Sequence, residues 1–314
     1  MRLGKRIVVI PDTQVRPGVP THHMDWIGAA IADYRPDVIV HLGDHWDMES
    51  LSSWTGALER EGKRYVADID AGNTALERLT TAMGDAAKAR RIILRGNHEQ
   101  RIERAVSADS RLKGALTYDH FNDRALGWEV VDYNGATPGH IEVSGIKFAH
   151  YFANNLTGRA IGGNASYKLT QIGSPFVMGH VQDLDIGTKQ YATGRVIRGV
   201  VAGSCYLHDE SYKGNANAHW RGIVVLNEVY PDGRFSVMDV TLAKLCEKYA
   251  GESLRRFLQR NTRAGRDGLL SLARARARRV RADVLWRLTL QPRIRREYLS
   301  MTAARYRQRP ATRM

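Results

Sequence analysis

Short apolar runs rich in β-branched residues alternate with segments of helical period through the first part of the chain. Residues 6–10 (RIVVI) are apolar and are stopped by Pro11, which predicts a buried strand. Residues 22–34 read as a helix, and residues 37–42 (DVIVHL) as a second strand closed by Gly43-Asp44. Residues 68–88 read as a helix, with Ile69, Leu76, Leu79 and Met83 near helical spacing. A third strand spans residues 91–94 (RIIL) and ends at Gly96-Asn97. Strands alternating with helices predict a parallel or mixed sheet with helices on its faces. Beyond residue 127 the texture changes. Residues 128–133, 140–143 and 146–151 are short strands, with Ser144-Gly145 as a hairpin turn. Residues 175–178, 195–202 and 222–229 continue the series, and Pro231-Asp232-Gly233 turns into a last strand at 234–240. One helix, residues 165–172, interrupts them, and no internal repeat is visible. The expected fold class is α/β, a two-layered mixed β-sheet sandwich flanked by helices.

The chain has 314 residues, 43% of them apolar and 25% charged, which excludes a disordered chain, a collagen and a disulfide scaffold. No stretch approaches the ~18 apolar residues of a membrane helix. The basic start of the chain lacks the apolar region of roughly 7–15 residues that a signal peptide needs, so a cytoplasmic protein is expected. Two cysteines, Cys205 and Cys246, suggest neither a zinc knuckle nor a disulfide framework. Charge divides the chain. Residues 252–314 hold 18 arginines, no lysine and four acids, a net of +14, and residues 1–251 are balanced at 29 basic and 29 acidic side chains. A boundary near Gly251 follows, with a neutral body over 1–250 and a basic, mainly helical extension over 251–314.

In folds of this class the loops leaving the carboxyl ends of parallel strands carry the chemistry. Here they read Asp12-Thr13-Gln14, Gly43-Asp44-His45-Trp46-Asp47 and Gly96-Asn97-His98-Glu99, joined later by Ala149-His150 and Gly179-His180-Val181-Gln182. Singly each is weak: an Asp after a strand is usually a turn residue or helix cap, and a lone His is usually a satisfied core residue. In this order and together they offer oxygen and imidazole ligands at every strand end.

That series resembles the calcineurin-like metallophosphoesterases, whose motifs run Asp-x-His, Gly-Asp-x-x-Asp, Gly-Asn-His-Asp/Glu, His, Gly-His-x-His. The likeness spans residues 7–182 and extends, through residues 10–14 and 205–222, to members carried by tailed phages. Such a gene would place the protein in the host cytoplasm. The resemblance implies two adjacent divalent ions. Asp44 would bridge them, Asp12 would join the first, and Asn97, His150 and His180 would hold the second. His98 would be the general acid, oriented by Asp47. Two divalent ions and two carboxylates leave a positive seat for an anionic phosphoester, and Asn97 can also donate to a phosphate oxygen.

The sequence departs from the family pattern at Gln14 and Gln182, which stand where histidines are usual and would belong to the first ion. An amide oxygen is a hard donor, which shifts the expected metal from Zn²⁺ toward Mn²⁺, with Mg²⁺ as the alternative. His22, His23 and His45 are substitutes in principle, but a helix start or packing role is favoured. Asp47 is followed by Met48-Glu49 rather than the Arg-Gly of the protein Ser/Thr phosphatases, which disfavours a phosphoprotein substrate.

Residues 203–222 form a polar segment after the last motif. His208, His219 and Arg221 are candidate substrate-binding groups, and Tyr206, Tyr212 and Trp220 are candidate stacking groups. The plainer alternative is an ordered loop whose Trp220 packs on the sheet. Cys205 is expected to be a small buried residue rather than a nucleophile. The extension reads as helices at 253–260, 268–290 and 292–307. Its arginines, with Trp286, Tyr298 and Tyr306, suit a polyanion; a mobile tail and a membrane-surface helix are the other readings. The leading expectation is a divalent-metal-dependent phosphodiesterase or nuclease acting on nucleic acid. A phosphomonoesterase or small-nucleotide phosphodiesterase is the nearer alternative, and a non-catalytic nucleic-acid-binding protein with a degenerate metal site is the more distant one. Oligomeric state is not legible.

Overall fold

The computed structural model of the chain describes residues 4–53, 56–210 and 217–261. The chain divides into two units, Met1–Leu254 and Arg255–Met314. The fold and site lie in the first. Of the helices expected in the extension, residues 254–261 are helical and the others lie outside the described residues.

The strands are β1 (Lys5–Ile10), β2 (Val38–His41), β3 (Arg90–Leu94), β4 (Glu129–Val131), β5 (His140–Val143), β6 (Ile146–Ala149), β7 (Phe176–Met178), β8 (Leu184–Gln190), β9 (Val196–Ala202), β10 (Gly222–Val229) and β11 (Ser236–Thr241). The helices are α1 (His23–Tyr34), α2 (Ala57–Arg60), α3 (Tyr65–Ala82), α4 (Arg101–Ala108), α5 (Ala165–Ile172) and α6 (Leu242–Ala250). Two mixed sheets form, in the orders β11-β10-β1-β2-β3-β4 and β5-β6-β7-β9-β8. In the first, β1 to β4 run parallel and β10 and β11 are antiparallel additions; in the second, β6, β7 and β9 are parallel.

Period-2 alternation explains the layers. Ile7 and Val9, Val38 and Val40, Ile92 and Leu94, and Val224 and Leu226 face Ile146, Phe148, Val177 and Val200 in one core between the sheets. A second cluster, with Leu169, Phe176, Met178 and Val201, joins α5 to the outer face of the second sheet. The α/β sandwich read from the sequence is the observed architecture.

The differences have local causes. The expected helix over 68–88 starts three residues earlier and ends at Ala82, because Gly84 takes φ +53 and breaks it into a 3₁₀ turn, Gly84–Lys88. The helix α4 and the edge strand β8 were not expected. In α4 only Ile102 is buried, and β8 shows only Gly187 buried, so neither carries a strong apolar period. Among the described residues no helix is long and apolar enough to cross a membrane.

Candidate metal centre

The parallel strands β1, β2, β3, β6 and β7 all end at one edge of the sandwich, and their loops meet there. Asp44, His150 and His180 offer ligand atoms within 4.8 Å of one another. His150 Nε2 stands 3.3 Å from Asp44 Oδ2 and 2.9 Å from Asn97 Oδ1. The same Asn97 oxygen is 2.8 Å from His180 Nδ1. His150 Nδ1 donates to the Leu42 carbonyl at 2.9 Å, which turns Nε2 toward the cluster.

Asp12 joins from β1. Its Oδ1 accepts the His180 N–H at 3.1 Å, while Oδ2 is buried with no hydrogen-bond partner. Gln14 is fully buried and neither its Oε1 nor its Nε2 has a partner. Orphaned buried polar atoms are costly and uncommon. A divalent cation would satisfy the two oxygens, and oxygen donors suit a hard one. Gln182 is buried too; its Oε1 accepts from the Tyr206 hydroxyl at 3.0 Å and keeps a second lone pair. Together with Asp44, Asn97, His150 and His180, these donors fit divalent-metal chemistry at this edge.

The backbone is bent to present these groups. Gln14 (φ 39), Asp44 (φ 49), His180 (φ 69) and Gln182 (φ 70) are all left-handed, a conformation costing non-glycine residues on the order of 1–3 kcal/mol each. Two glycines leave room for carboxylates. A Cβ on Gly96 would lie 2.0 Å from Asp44 Oδ1, and one on Gly179 would lie 2.4 Å from Asp12 Oδ1.

Buried polar contacts hold the loops in place. Glu99 Oε1 accepts the backbone N–H groups of His45 (2.6 Å) and Trp46 (3.0 Å), and Oε2 those of Gly96 (2.8 Å) and Asp44 (3.1 Å). A second device is a one-way hydrogen-bond chain. The Gly43 N–H donates to His41 Nδ1, so His41 Nε2 donates to Thr13 Oγ1, at 3.2 and 3.1 Å. The Thr13 hydroxyl then donates to His45 Nδ1 at 2.8 Å, and His45 Nε2 donates to the Gly72 carbonyl at 3.0 Å. Both histidines are therefore neutral, and burial holds His41 well below the usual imidazole range and His45 at about 4. His45 packs rather than ligates, as expected of it. His22 precedes α1 without a side-chain capping bond and His23 opens it, where burial lowers the His23 pKa to about 3.

Charges in the cluster are coupled. Burial raises Asp12 to about 7, with Asp44 adding to the rise. Burial also opposes ionisation of Asp44, but His150 and His98 outweigh it and hold that carboxyl well below the usual range. His150 is pushed up to about 9, because Asp44 and Asp12 overcome its burial. Burial and the neighbouring His150 lower His180 to about 4.

His98 stands beside these ligands. Its Nδ1 is 2.6 Å from Asp47 Oδ1 and its Nε2 3.7 Å from Asp44 Oδ2. Burial works against its charge, yet Asp44 keeps its pKa raised. Asp47 Oδ2 accepts from Arg16 at 2.8 Å, and Arg16 also bridges to both Glu210 oxygens at 2.8 and 2.9 Å. Sequence reading missed Arg16 and Arg101 as parts of the site, and it took Tyr206 as a stacking candidate rather than as the donor to Gln182. Nothing in the local pattern marks one arginine among 47 basic residues. Glu99 stood in a recognised motif but without a role.

The other candidates gather around Tyr206 rather than on the ligand cluster. His208 stacks on its ring at 4.6 Å and pairs with Glu210 at 2.8 Å. His219 meets the ring edge-on at 5.3 Å, and Arg221 lies over it while donating to Asp209 at 2.6 Å. Trp220 packs against the core between the sheets. Burial pushes the Cys205 thiol up, which makes it a poor nucleophile.

The chain is 26% identical to the Gene 54 protein of Mycobacterium phage D29 over 262 residues, covering 75% of this chain and 97% of that protein. It is 39% identical to the Gene 54 protein of Mycobacterium phage L5 over 69 residues, 22% of this chain and 27% of that one. Residues 5–179, which carry β1 to β7 and most of the ligand cluster, match the calcineurin-like phosphoesterase family. The chain belongs to that family, the metal-dependent hydrolases of phosphoester bonds.

Proposed function

We propose that the protein is a dinuclear, Mn²⁺-preferring phosphodiesterase that acts on nucleic acid. The observation that carries the dinuclear reading is the orphaned pair of buried groups, Asp12 Oδ2 and the Gln14 amide, lying next to the separate Asp44–Asn97–His150–His180 set. In this reading Asp44 is shared, Asp12, Gln14 and Gln182 serve one ion, and Asn97, His150 and His180 serve the other. The two glutamines supply hard oxygen, which favours Mn²⁺ or Mg²⁺ over Zn²⁺. When bound, the ions supply the positive charge that offsets the phosphoester and the acidity that makes water a nucleophile at neutral pH.

The side chains divide the remaining work. Asp47 fixes the His98 ring, and His98 gives a proton to the leaving oxygen. Asn97 orients a phosphoryl oxygen through its amide N–H groups. His208, His219 and Arg221 are the candidate contacts for the remainder of the substrate. The nucleic-acid step rests on the extension, whose 18 arginines carry the net charge of the chain beside Trp286, Tyr298 and Tyr306.

The test uses the full-length protein. Metal analysis after Mn²⁺ loading is expected to give two ions per chain, and one or none overturns the dinuclear reading. Asp44→Asn is expected to weaken both ions and abolish turnover. A simple aryl phosphodiester should be cleaved better than the monoester, and faster with Mn²⁺ than with Zn²⁺. Polynucleotide affinity should weaken by ~10³-fold for a fourfold rise in salt if about six arginines touch phosphate. A salt-independent affinity removes the extension from substrate binding.

A further inference from the structure

We propose that Arg101 grips the phosphoryl group of the substrate, taking its non-bridging oxygens at the edge of the ligand cluster. This rests on the phosphoesterase site described above. Arg101 is the first residue of α4, directly after the Asn97-His98-Glu99-Gln100 turn. Its Nη1 donates to the Asp47 carbonyl at 2.6 Å, and its Nη2 lies 3.1 Å from His98 Nε2. That imidazole nitrogen is itself 3.7 Å from Asp44 Oδ2. One nitrogen is thus flanked by the guanidinium and by the carboxylate proposed to bridge the ions. An anion seated beside Asp44 comes within reach of Arg101.

Charge separates Arg101 from the other arginine at this edge. Arg16 is neutralised, with Asp47 and both Glu210 oxygens at hydrogen-bond distance and Glu49 at 3.9 Å. Among the described residues, the carboxylate contact of Arg101 is Asp47 Oδ1 at 3.5 Å, and that oxygen already receives His98 Nδ1 at 2.6 Å. Its remaining partners are two carbonyls and a ring nitrogen, none of them a carboxylate. A cation at the first residue of a helix also opposes the helix dipole. The side chain is 12% exposed, so it is reachable from solvent without being free in it.

The contact with His98 has a chemical consequence. A guanidinium can only donate, so His98 Nε2 accepts from it. A ring nitrogen that accepts from Arg101 cannot at the same time donate to a leaving oxygen. An arriving phosphoryl group, with charged oxygens that suit a planar fork of N–H donors, draws the guanidinium off, and the freed Nε2 takes a proton from solvent before giving it to the leaving oxygen.

The experiment measures inorganic phosphate binding to the Mn²⁺-loaded, full-length protein by calorimetry, beside a count of bound metal. Arg101→Gln should weaken phosphate by about 10–100-fold, the range for losing a charged hydrogen-bonding partner, with the metal count unchanged. Arg101→Lys should fall between. Arg104→Gln removes the same charge from α4, where Arg104 donates to Gln100 Oε1; it should bind phosphate as the wild type does. Should Arg101→Gln prove too unstable to isolate, Arg101→Lys decides alone, since it keeps the charge but lacks the fork. Unchanged phosphate affinity in the Arg101 variants overturns the proposal, as does loss of metal in place of phosphate. Wild-type protein that holds metal and ignores phosphate overturns both this proposal and the catalytic reading of the site, an outcome distinct from failure at Arg101 alone.

Discussion

Replacing Glu99 with Gln tests whether one buried carboxylate holds the two central loops together. The change keeps shape and removes charge. As a carboxylate, Glu99 accepts four backbone N–H groups, two on each oxygen. Gln has one carbonyl oxygen, so whichever way the amide turns, two of those N–H groups face an NH₂ donor. Each buried donor left without a partner costs about 1–3 kcal/mol, giving a loss of about 2–6 kcal/mol. One effect opposes this. Burial and the neighbouring Asp44 raise the Glu99 pKa, so removing its charge relieves part of that penalty. The two unpaired donors outweigh that gain, and the net should remain a large share of the 5–15 kcal/mol typical of a domain. At this size 1 kcal/mol moves Tm by about 2–4 °C, so a fall on the order of 10 °C is expected. The loosened Asp44 loop should also bind Mn²⁺ more weakly. Thermal unfolding of metal-free protein and calorimetric metal titration measure the two effects. A Tm within about 2 °C of wild type, with undiminished metal affinity, would refute the reasoning and make Glu99 a replaceable acceptor.

The other expectations are narrower. Gly96→Ala should lower Tm and weaken metal, since its Cβ would meet Asp44 Oδ1 at 2.0 Å and the Asp44 backbone nitrogen at 2.5 Å; wild-type Tm and full metal occupancy in that variant contradict the cradle. His98→Ala should keep metal and lose turnover by ~10²–10⁴-fold, with a smaller loss for better leaving groups, which a series of aryl phosphodiesters will read. An equal loss across the series means that His98 positions phosphate instead. Metal uptake should release protons, because His150, pushed up to about 9, and Asp12, raised to about 7, both hold protons in the metal-free protein near neutrality. Affinity should therefore climb with pH and level off above about 9, and titration in buffers of different ionisation enthalpy should show net release. The same shifts fix a stability trend without metal. The stabilisation due to His150 is complete below the ordinary imidazole pKa of about 6.5 and is lost as pH rises through about 9. Asp12, raised above its unfolded value, acts in the same direction between about 4 and 7. A metal-free Tm that rises across pH 6.5–9 contradicts the His150 assignment.

By itself the sequence determined the layers and the chemistry available at one edge. Ile7-Val8-Val9-Ile10, Val38-Ile39-Val40 and Ile92-Ile93-Leu94 are legible as strands because burial on both faces demands unbroken apolar runs. The polar residues that follow each run are legible as candidates because parallel strands deliver their ends to the same side. Weakly patterned elements were not legible: β8 is an edge strand that exists through its pairing with β9, and α4 buries one apolar side chain. Tertiary structure alone decided the contacts that give the side chains their states. Arg16 and Glu210 lie 194 residues apart, and Thr13 meets His41 and His45 across 28 and 32. No local period encodes such pairs, because each depends on how separate loops are turned after the strands have assembled. The same holds for charge. Asp12 and Asp44 are chemically alike in sequence, yet one is pushed up by burial and the other pulled down by two imidazoles, a difference set by which neighbours the fold brings within a few ångströms.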